Sequence, residues 1–217
     1  MNKRLQIYLA SISISGDFII LNNLIKRVFD IFFSLLVIAL ILSWMVPVIF
    51  LLNIFFSKGP VFFAQKRTGY RNEIFTCYKF RTMIENLDAN TIQAQKDDPR
   101  LTIIGKILRR TSLDELPQFL NVLIGNMSLV GPRPHMLHHT DYYSSQITNY
   151  MFRHSVRPGI TGLAQIKGYR GETKELSLMK ERVKLDIHYI ENWSFWLDIK
   201  IIIITVFILI GGDKKAF

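Results

Sequence analysis

Residues 111–118 read Thr111-Ser112-Leu113-Asp114-Glu115-Leu116-Pro117-Gln118, and they place two adjacent carboxylates where a helix is expected to begin. Ser112 with Glu115 three residues later has the form of a capping box, in which both side chains close the first helical turn. Asp114 is the alternative N-cap, with Pro117 in the first turn. Both alternatives put the carboxylates at a helix N-terminus, where the helix dipole favours the ionised form and also attracts phosphate. Capping and catalysis are therefore compatible.

The composition is apolar and basic at once. Of the 217 residues, 49% are hydrophobic, and the formal net charge is +10. This combination predicts contact with a membrane surface, a polyanionic substrate or both, with nucleic acid as the rival partner. The single cysteine, Cys77, lies in an apolar run and predicts a buried, unreactive thiol in a reducing compartment.

A long uncharged run lies near the N-terminus. No charged residue occurs from Ile31 to Leu52, which is long enough to cross hydrocarbon about 30 Å thick. A spanning helix is the default interpretation. However, basic residues flank the run on both sides, and Pro47 lies within it. Because basic flanks stay cytoplasmic and a proline breaks a helical hydrogen bond, we predict a re-entrant membrane helix over residues 26–57, broken at Pro47. No structure is predicted for residues 1–25.

The remaining chain predicts an α+β fold, mainly helical with short strands. Residues 58–192 are expected to form a cytoplasmic catalytic domain. Two strands, Val61–Ala64 and Glu73–Phe80, flank a predicted turn at residues 67–69. Helices are expected over residues 81–95, 142–153 and 175–190. A further helix should begin at residue 97, with a core side formed by Leu101, Ile104, Ile107 and Leu108. Another should begin at residue 114, with a core side formed by Leu116, Phe119, Leu120 and Leu123. Residues 193–217 are predicted to form an amphipathic interfacial segment rather than a second span.

Three histidines follow the central region. His135, His138 and His139 have the i, i+3, i+4 spacing that places side chains on one helix face. No carboxylate or cysteine accompanies them at ligand spacing, so a structural zinc site is disfavoured.

Arginines are dispersed along the chain. They suggest contacts with more than one phosphate, because a guanidinium group matches phosphate oxygens with two parallel hydrogen bonds. The arginines in question are Arg67, Arg109, Arg110, Arg133, Arg157 and Arg170. A carboxylate beside a diphosphate is the usual way to hold Mg²⁺, with the substrate supplying further oxygens. The residues alone therefore indicate phosphoryl transfer on a membrane substrate.

Several motifs also occur in a fixed order. They are Lys26-Arg27-x-x-Asp30, residues 79–83 (KFRTM), 112–118 (SLDELPQ), 121–123 (NVL), 127–134 (MSLVGPRP) and 157–162 (RPGITG). In these motifs the chain resembles the monotopic phosphoglycosyl transferases, or bacterial sugar transferases. Larger members carry an additional N-terminal membrane domain, so the length implies the short form that consists of the catalytic domain.

The resemblance implies an enzyme that moves a sugar 1-phosphate from a UDP-sugar to undecaprenyl phosphate, releases UMP and requires Mg²⁺. This reaction is the first membrane step of polysaccharide or glycoconjugate synthesis. It implies a location on the cytoplasmic face of the bacterial inner membrane, lipid of that leaflet as a partner, and no nucleic acid. The oligomeric state stays open, with a homodimer among the alternatives.

The resemblance also assigns residues. Asp114 is the nucleophile of an Asp114–Glu115 dyad and a ligand of Mg²⁺, and Pro47 is the break in the membrane helix. The expected phosphate-binding residues are Arg67, Arg110, Arg133 and Arg157. The expected nucleotide- or sugar-binding residues are Gln165, Arg170 and Asp186.

Four positions depart from the usual pattern of the family: Val46, Thr68, Leu163 and Lys167. The last two leave the nucleotide and sugar contacts open, although residues 168–173 resemble members that transfer plain hexose phosphates such as glucose or galactose. Two other classes of protein remain as alternatives. A membrane-tethered RNA-binding protein predicts clustered aromatics, whereas the basic segments here alternate with Gly and Pro turns. A non-catalytic scaffold of a polysaccharide assembly complex would not need an acid pair between arginines.

Overall fold

The computed structural model describes residues 21–57, 59–84, 98–171 and 175–211. Its first element is one long helix, α1, from Leu21 to Phe56. A π turn at Ile38–Leu42 widens the helix, and Pro47 lies inside the following α-helical segment, Ser43–Phe56. By length and composition α1 could cross a membrane, and only 17% of its most apolar window is buried. The rest of the chain therefore covers little of its apolar surface, and re-entry with a break at Pro47 stays a prediction.

A β-hairpin follows α1. Strand β1, Phe62–Thr68, pairs antiparallel with β2, Ile74–Phe80. The predicted turn at residues 67–69 is wrong in its first two positions, since Arg67 and Thr68 continue the strand. The pairing extends that far because Thr68 is bound from its other side, where its hydroxyl hydrogen-bonds that of Thr140 at 2.9 Å.

The helix predicted over 81–95 does not begin at Arg81. Residues 81–84 are not helical, and Met83 forms an isolated bridge with Leu101. The Arg81 side chain explains this course, because it donates to the backbone carbonyls of Ser57 (2.5 Å) and Pro60 (2.7 Å). The rest of the predicted helix lies outside the described residues.

Helix α2, Ile103–Arg110, begins later than predicted. Thr102 caps it by accepting a hydrogen bond from the N–H of Gly105 at 2.9 Å. Ile104 and Leu108 are buried as predicted, but Ile107 is 59% exposed. The helix docks through the face that contains Gly105, where an added Cβ would come within 1.8 Å of the Thr82 carbonyl oxygen. This close approach turns Ile107 outward.

Helix α3, Gln118–Ile124, ends at Gly125 in a left-handed conformation. Its predicted core stripe, Leu116, Phe119, Leu120 and Leu123, is only partly buried. Polar Asn121 is buried instead, because its side chain bonds the backbone of β2: it accepts from the N–H of Tyr78 at 2.9 Å and donates to the carbonyl of Thr76 at 2.7 Å. Asn121 thus extends the hydrogen bonding of the hairpin onto α3.

A second small sheet and four helices follow in the described residues after α3. Their bounds are β3 Ser128–Val130, α4 Leu137–Gln146, β4 Gly159–Thr161, α5 Leu163–Ile166, α6 Leu176–Glu191 and α7 Phe195–Ile210. Strands β3 and β4 are parallel. The helix predicted over 142–153 is wrong: α4 ends at Gln146, and a separate 3-10 turn, Tyr150–Ser155, follows left-handed Asn149. The helix predicted over 175–190 is confirmed by α6.

The Lys26-Arg27-x-x-Asp30 motif fastens the first turns of α1 to this domain. Arg27 donates to the carbonyls of Val122 (2.7 Å) and Leu123 (2.9 Å) at the end of α3. Lys26 pairs with Asp198 of α7, and Asp30 accepts from the N–H of Leu129 at 3.0 Å. Since Arg81 binds Ser57 just after α1, both ends of the helix contact one globular domain. The mixed α/β fold with small sheets and a long apolar N-terminal helix confirms that part of the predicted fold class.

Buried apolar side chains form the core behind the hairpin. One cluster joins β2, α3, β3, α6 and α7; its buried members are Phe75, Cys77, Val122, Met127, Leu129, Val130, Tyr189 and Ile201. Burial raises the pKa of the Cys77 thiol, as expected for an unreactive cysteine. A second cluster packs α1 and β2 against α2 through Leu42, Met45, Ile49, Phe80, Ile104 and Leu108.

Candidate active site

The two carboxylates lie in a 3-10 turn, Leu113–Glu115, between α2 and α3. Ser112 before it is left-handed, with φ of 57°, and its buried Oγ finds no hydrogen-bond partner in the described part of the chain. Neither predicted cap is therefore present: Ser112 caps nothing, and Pro117 rather than Asp114 precedes α3. The left-handed residue turns the chain so that both carboxylates face side chains from other elements.

Glu115 is held by three cations. Lys79 Nζ lies 2.8 Å from Oε1, and Arg133 forms a two-pronged contact, with Nη2 2.5 Å from Oε1 and Nη1 3.2 Å from Oε2. Arg170 Nη2 lies 3.7 Å from Oε2. Burial alone would raise the pKa of Glu115, but the cations Arg133, Lys79 and Arg170 hold it well below its ordinary value. Glu115 is therefore ionised and engaged at both oxygens.

Asp114 is as buried as Glu115, yet the described residues offer its carboxylate no hydrogen bond and no ion pair. Burial raises its pKa, and the negative charge of Glu115 raises it further, against the nearby cations Lys79 and Arg109. A carboxylate of this kind is more basic than usual and has its oxygens available. It is suited to attack an electrophile or to bind a cation.

Arg109, rather than Arg110, lies close to the Asp114–Glu115 dyad. Arg109 donates from Nε to the hydroxyl of Thr82 at 2.9 Å, and its charge acts on Asp114. The predicted phosphate ligand Arg110 is exposed at the end of α2. The helical period explains the difference, because Arg109 lies four residues after buried Gly105 and so shares its face.

Arg133 is one of the expected phosphate-binding residues. Its guanidinium group instead pairs with Glu115, and although burial lowers its pKa, Glu115 more than reverses that and raises it. Arg67 lies behind the same turn, where it donates to the carbonyl of Pro134 at 3.1 Å and to Gln65. Both arginines adjoin the dyad, with Arg67 supporting the turn that carries Arg133.

Three other predicted site residues lie apart from the dyad. Arg157 donates to the carbonyl of Gly125 at 2.9 Å, at the opposite end of α3. Gln165 donates to the carbonyl of Ile160 at 3.1 Å. Asp186 is buried in an ion pair with Arg153. In each case the polar group is bonded to another part of the protein. Of the expected nucleotide- or sugar-binding residues, Arg170 is the one that adjoins Glu115.

Lys79 is the residue that the predicted site omitted. It lies on β2 between Tyr78 and Phe80, and its ammonium group reaches Glu115. The sequence does contain one indication of this role. Lys79 is a charged residue between two aromatic residues of a short strand, and a charged residue is rarely buried without a partner.

The three histidines lie in different surroundings. His135 is buried, with Nδ1 2.6 Å from the hydroxyl of Tyr150, and burial lowers its pKa well below its ordinary value. His138 is exposed on α4. No group of three or more His, Cys, Asp or Glu residues that could hold a metal occurs among the residues whose placement is described.

Comparison with known proteins gives the same family as the motifs. The family model described as "Bacterial sugar transferase" matches residues 21–212. A UDP-glucose:undecaprenyl-phosphate glucose-1-phosphate transferase from Klebsiella pneumoniae is 53% identical over 189 residues, which are 86% of this chain and 40% of that protein. One of the same name from Caulobacter vibrioides is 46% identical over 193 residues, 88% of this chain and 72% of that protein.

A relative with a different sugar in its name is also similar. The UDP-N-acetylgalactosamine-undecaprenyl-phosphate N-acetylgalactosaminephosphotransferase of Aeromonas hydrophila is 41% identical over 190 residues, covering 87% of this chain and 44% of its own length. The chain thus spans about two fifths of the length of several curated relatives.

Proposed function

Because the chain belongs to the bacterial sugar transferase family, we propose that it moves a sugar 1-phosphate from a UDP-sugar to undecaprenyl phosphate and releases UMP. The observation that carries the proposal is the contrast within the dyad. Glu115 is saturated with cations, while the equally buried Asp114 has no hydrogen-bond or ion-pair partner among the described residues. This arrangement supports a nucleophilic role for Asp114 and an electrostatic role for Glu115.

In the first step, a carboxylate oxygen of Asp114 attacks the β-phosphorus of the UDP-sugar. A P–O bond forms to Asp114 as the bond between that phosphorus and the bridging oxygen breaks, and UMP leaves with this oxygen and its electron pair. Lys79, Arg109 and Arg170 surround the dyad and counter the negative charge that develops on the phosphate oxygens.

In the second step, a phosphate oxygen of undecaprenyl phosphate attacks the same phosphorus. The bond to Asp114 breaks, the carboxylate is restored, and undecaprenyl-diphosphate-sugar leaves. A covalent intermediate lets one soluble and one membrane-bound substrate use the buried carboxylate in turn, so that two anionic substrates need not share a transition state.

Mg²⁺ fits this site through Asp114. The carboxylate oxygens of Asp114 are not taken by any described residue, and a diphosphate substrate would supply the remaining ligands. When bound, Mg²⁺ supplies charge neutralisation at the phosphates. Glu115 is less suited to hold it, since both of its oxygens face guanidinium groups.

Glucose 1-phosphate is the transferred group that we propose. The relatives that are 46% and 53% identical carry UDP-glucose in their names, and the N-acetylgalactosamine relative is less similar.

We also propose that α1 re-enters the membrane at the cytoplasmic face of the inner membrane. The contacts of both ends of α1 with one domain support this topology, because Arg27 binds α3 and Ser57 receives Arg81. A helix that crossed the bilayer would place its ends on opposite sides.

The experiment is an assay of UMP release by purified protein with UDP-glucose, Mg²⁺ and undecaprenyl phosphate, in parallel with UDP-galactose and UDP-N-acetylgalactosamine. We expect release with UDP-glucose and its loss in Asp114→Asn. A scaffold or an RNA-binding protein would release no UMP with any donor, and binding of RNA at physiological salt would favour the latter.

A further inference from the structure

A buried ion pair lies behind the dyad and takes no part in the reaction proposed above. Arg153, in the 3-10 turn Tyr150–Ser155, is 1% exposed, and Asp186 on α6 is 2% exposed. The guanidinium group donates to Asp186 Oδ2 from both Nε (3.1 Å) and Nη2 (2.7 Å). A pair so enclosed has no solvent contact through which Asp186 could meet a nucleotide or sugar.

The same guanidinium group reaches the turn that carries Arg133. Arg153 Nη2 donates to the backbone carbonyl of Arg133 at 2.7 Å. The prolines on either side of Arg133 fix their own φ angles, but they do not fix the direction of the peptide that carries this carbonyl. The hydrogen bond from Arg153 sets that direction. Asp186 in turn orients the guanidinium group.

A role in stability alone does not account for such a pair. Removing two charges from water costs free energy, and replacing a buried ion pair with apolar side chains of similar size is often neutral or stabilising. The pair is therefore better explained by what it holds in place. The carbonyl that Arg153 contacts belongs to Arg133, whose side chain binds Glu115 at both oxygens.

We infer that Arg153 and Asp186 are positioning residues: through the carbonyl of Arg133 they hold the Pro132–Pro134 turn so that the Arg133 guanidinium group keeps its two-pronged contact with Glu115. The inference rests on the proposed function, because the contact matters only if the dyad is the reaction centre. It replaces the predicted role of Asp186 as a nucleotide or sugar ligand.

The test is the double variant Arg153→Met/Asp186→Leu, which removes both charges of the pair together. Arg182 remains as a buried cation nearby and loses one attractive and one repulsive neighbour at once. We expect kcat/KM for UMP release to fall about 10²-fold, the order that a displacement of 1 Å causes in an active site. The acid limb of the kcat/KM profile should move to higher pH, because withdrawing Arg133 removes a cation from Asp114 and Glu115. The other charged groups that act on the dyad are Arg67, Lys79, Arg109 and Arg170.

Val183→Ala is the matched control. Val183 is buried on α6 near Asp186 but packs in a separate apolar cluster with Tyr143 and Tyr150. It should lower the temperature of unfolding without moving the acid limb. If the double variant does not fold, Arg153→Lys replaces it, since Lys keeps the charge beside Asp186 but not the planar fork, and the same shift of the limb is expected.

An acid limb that stays at the wild-type position in a folded variant would overturn the inference. A wild-type protein that releases no UMP would instead overturn the proposed function. In that case the unfolding temperature as a function of pH still tests the inference, because displacing Arg133 raises the folded-state pKa of Glu115. The variant should then lose less stability than Val183→Ala as the pH falls below the ordinary pKa of Glu, because the folded and unfolded pKa values of Glu115 lie closer together. An equal acid-dependent loss in the two variants would contradict the inference.

Discussion

Asp114 and Glu115 are adjacent and equally buried, each 7% exposed, but among the residues whose placement is described the cations pair with Glu115 and not with Asp114. The contrast arises from the left-handed Ser112 and the 3-10 turn after it, which direct the two side chains to different neighbours. Burying an unpaired carboxylate costs free energy, and such sites are typical of catalytic groups. Neutralising Asp114 and neutralising Glu115 should therefore change the free energy of unfolding in opposite directions.

Stability is the first measure of this difference. Asp114→Asn should raise the free energy of unfolding at neutral pH, because burial raises the folded-state pKa of Asp114 and ionisation at that pH opposes folding. Glu115→Gln should lower it by about 3 kcal/mol, the low end for a broken buried pair, because the carboxylate is buried while Lys79 and Arg133 are each 20% exposed. Unfolding of both variants in the same lipid or detergent system gives the comparison. Equal changes of the same sign would contradict the contrast described here.

The pH dependence of turnover follows from the raised pKa of Asp114. Below its folded-state pKa the carboxylate is protonated and cannot attack, so kcat/KM should rise with pH along a limb centred above 3.8, the ordinary value. Glu115 has a lowered pKa and stays ionised across this limb. A profile of kcat/KM for the UDP-sugar locates the limb. A limb at or below the ordinary value would show that Asp114 is not the titrating group.

Two neighbouring arginines provide a matched pair. Arg109→Gln removes a cation that acts on Asp114 and should reduce kcat for UMP release by about 10²-fold, the scale seen when one stabilising donor is removed. Arg110→Gln changes an exposed side chain one position away and should leave kcat within about twofold, since no described contact joins it to the dyad. Comparable losses in both variants would place Arg110 in the site after all.

The sequence predicted the local elements better than the site. The dyad, α6 and the long apolar helix follow from motifs and periodicity, which are local properties. The partners of Glu115 do not, because Lys79 is 36 residues away and Arg133 is 18 residues away in sequence. Likewise Arg153 and Asp186 are 33 residues apart. Long-range pairs depend on how helices and strands pack. The sequence alone therefore does not show that Arg133 pairs with Glu115 or that Asp186 pairs with Arg153.

Membrane topology is tested by labelling in intact cells. Leu24→Cys and Ser57→Cys place thiols at the two ends of α1, and both should react from the cytoplasmic side alone if the helix re-enters. The native Cys77 should contribute little background labelling, because it is buried and the pKa of its thiol is raised. Pro47→Ala restores a helical hydrogen bond and should shift part of the population toward spanning. Labelling of one end from each side in the wild type would contradict re-entry.

The most direct measurement of the central claim is a single turnover without acceptor. Wild-type protein given UDP-glucose and Mg²⁺ alone should release about one UMP per active site, as expected for a covalent intermediate. The peptide that contains Asp114 should gain the mass of a hexose phosphate, and Asp114→Asn should show neither change. Adding undecaprenyl phosphate should remove the adduct. No adduct, with UMP released only when both substrates are present, would contradict the account and show direct transfer between the substrates.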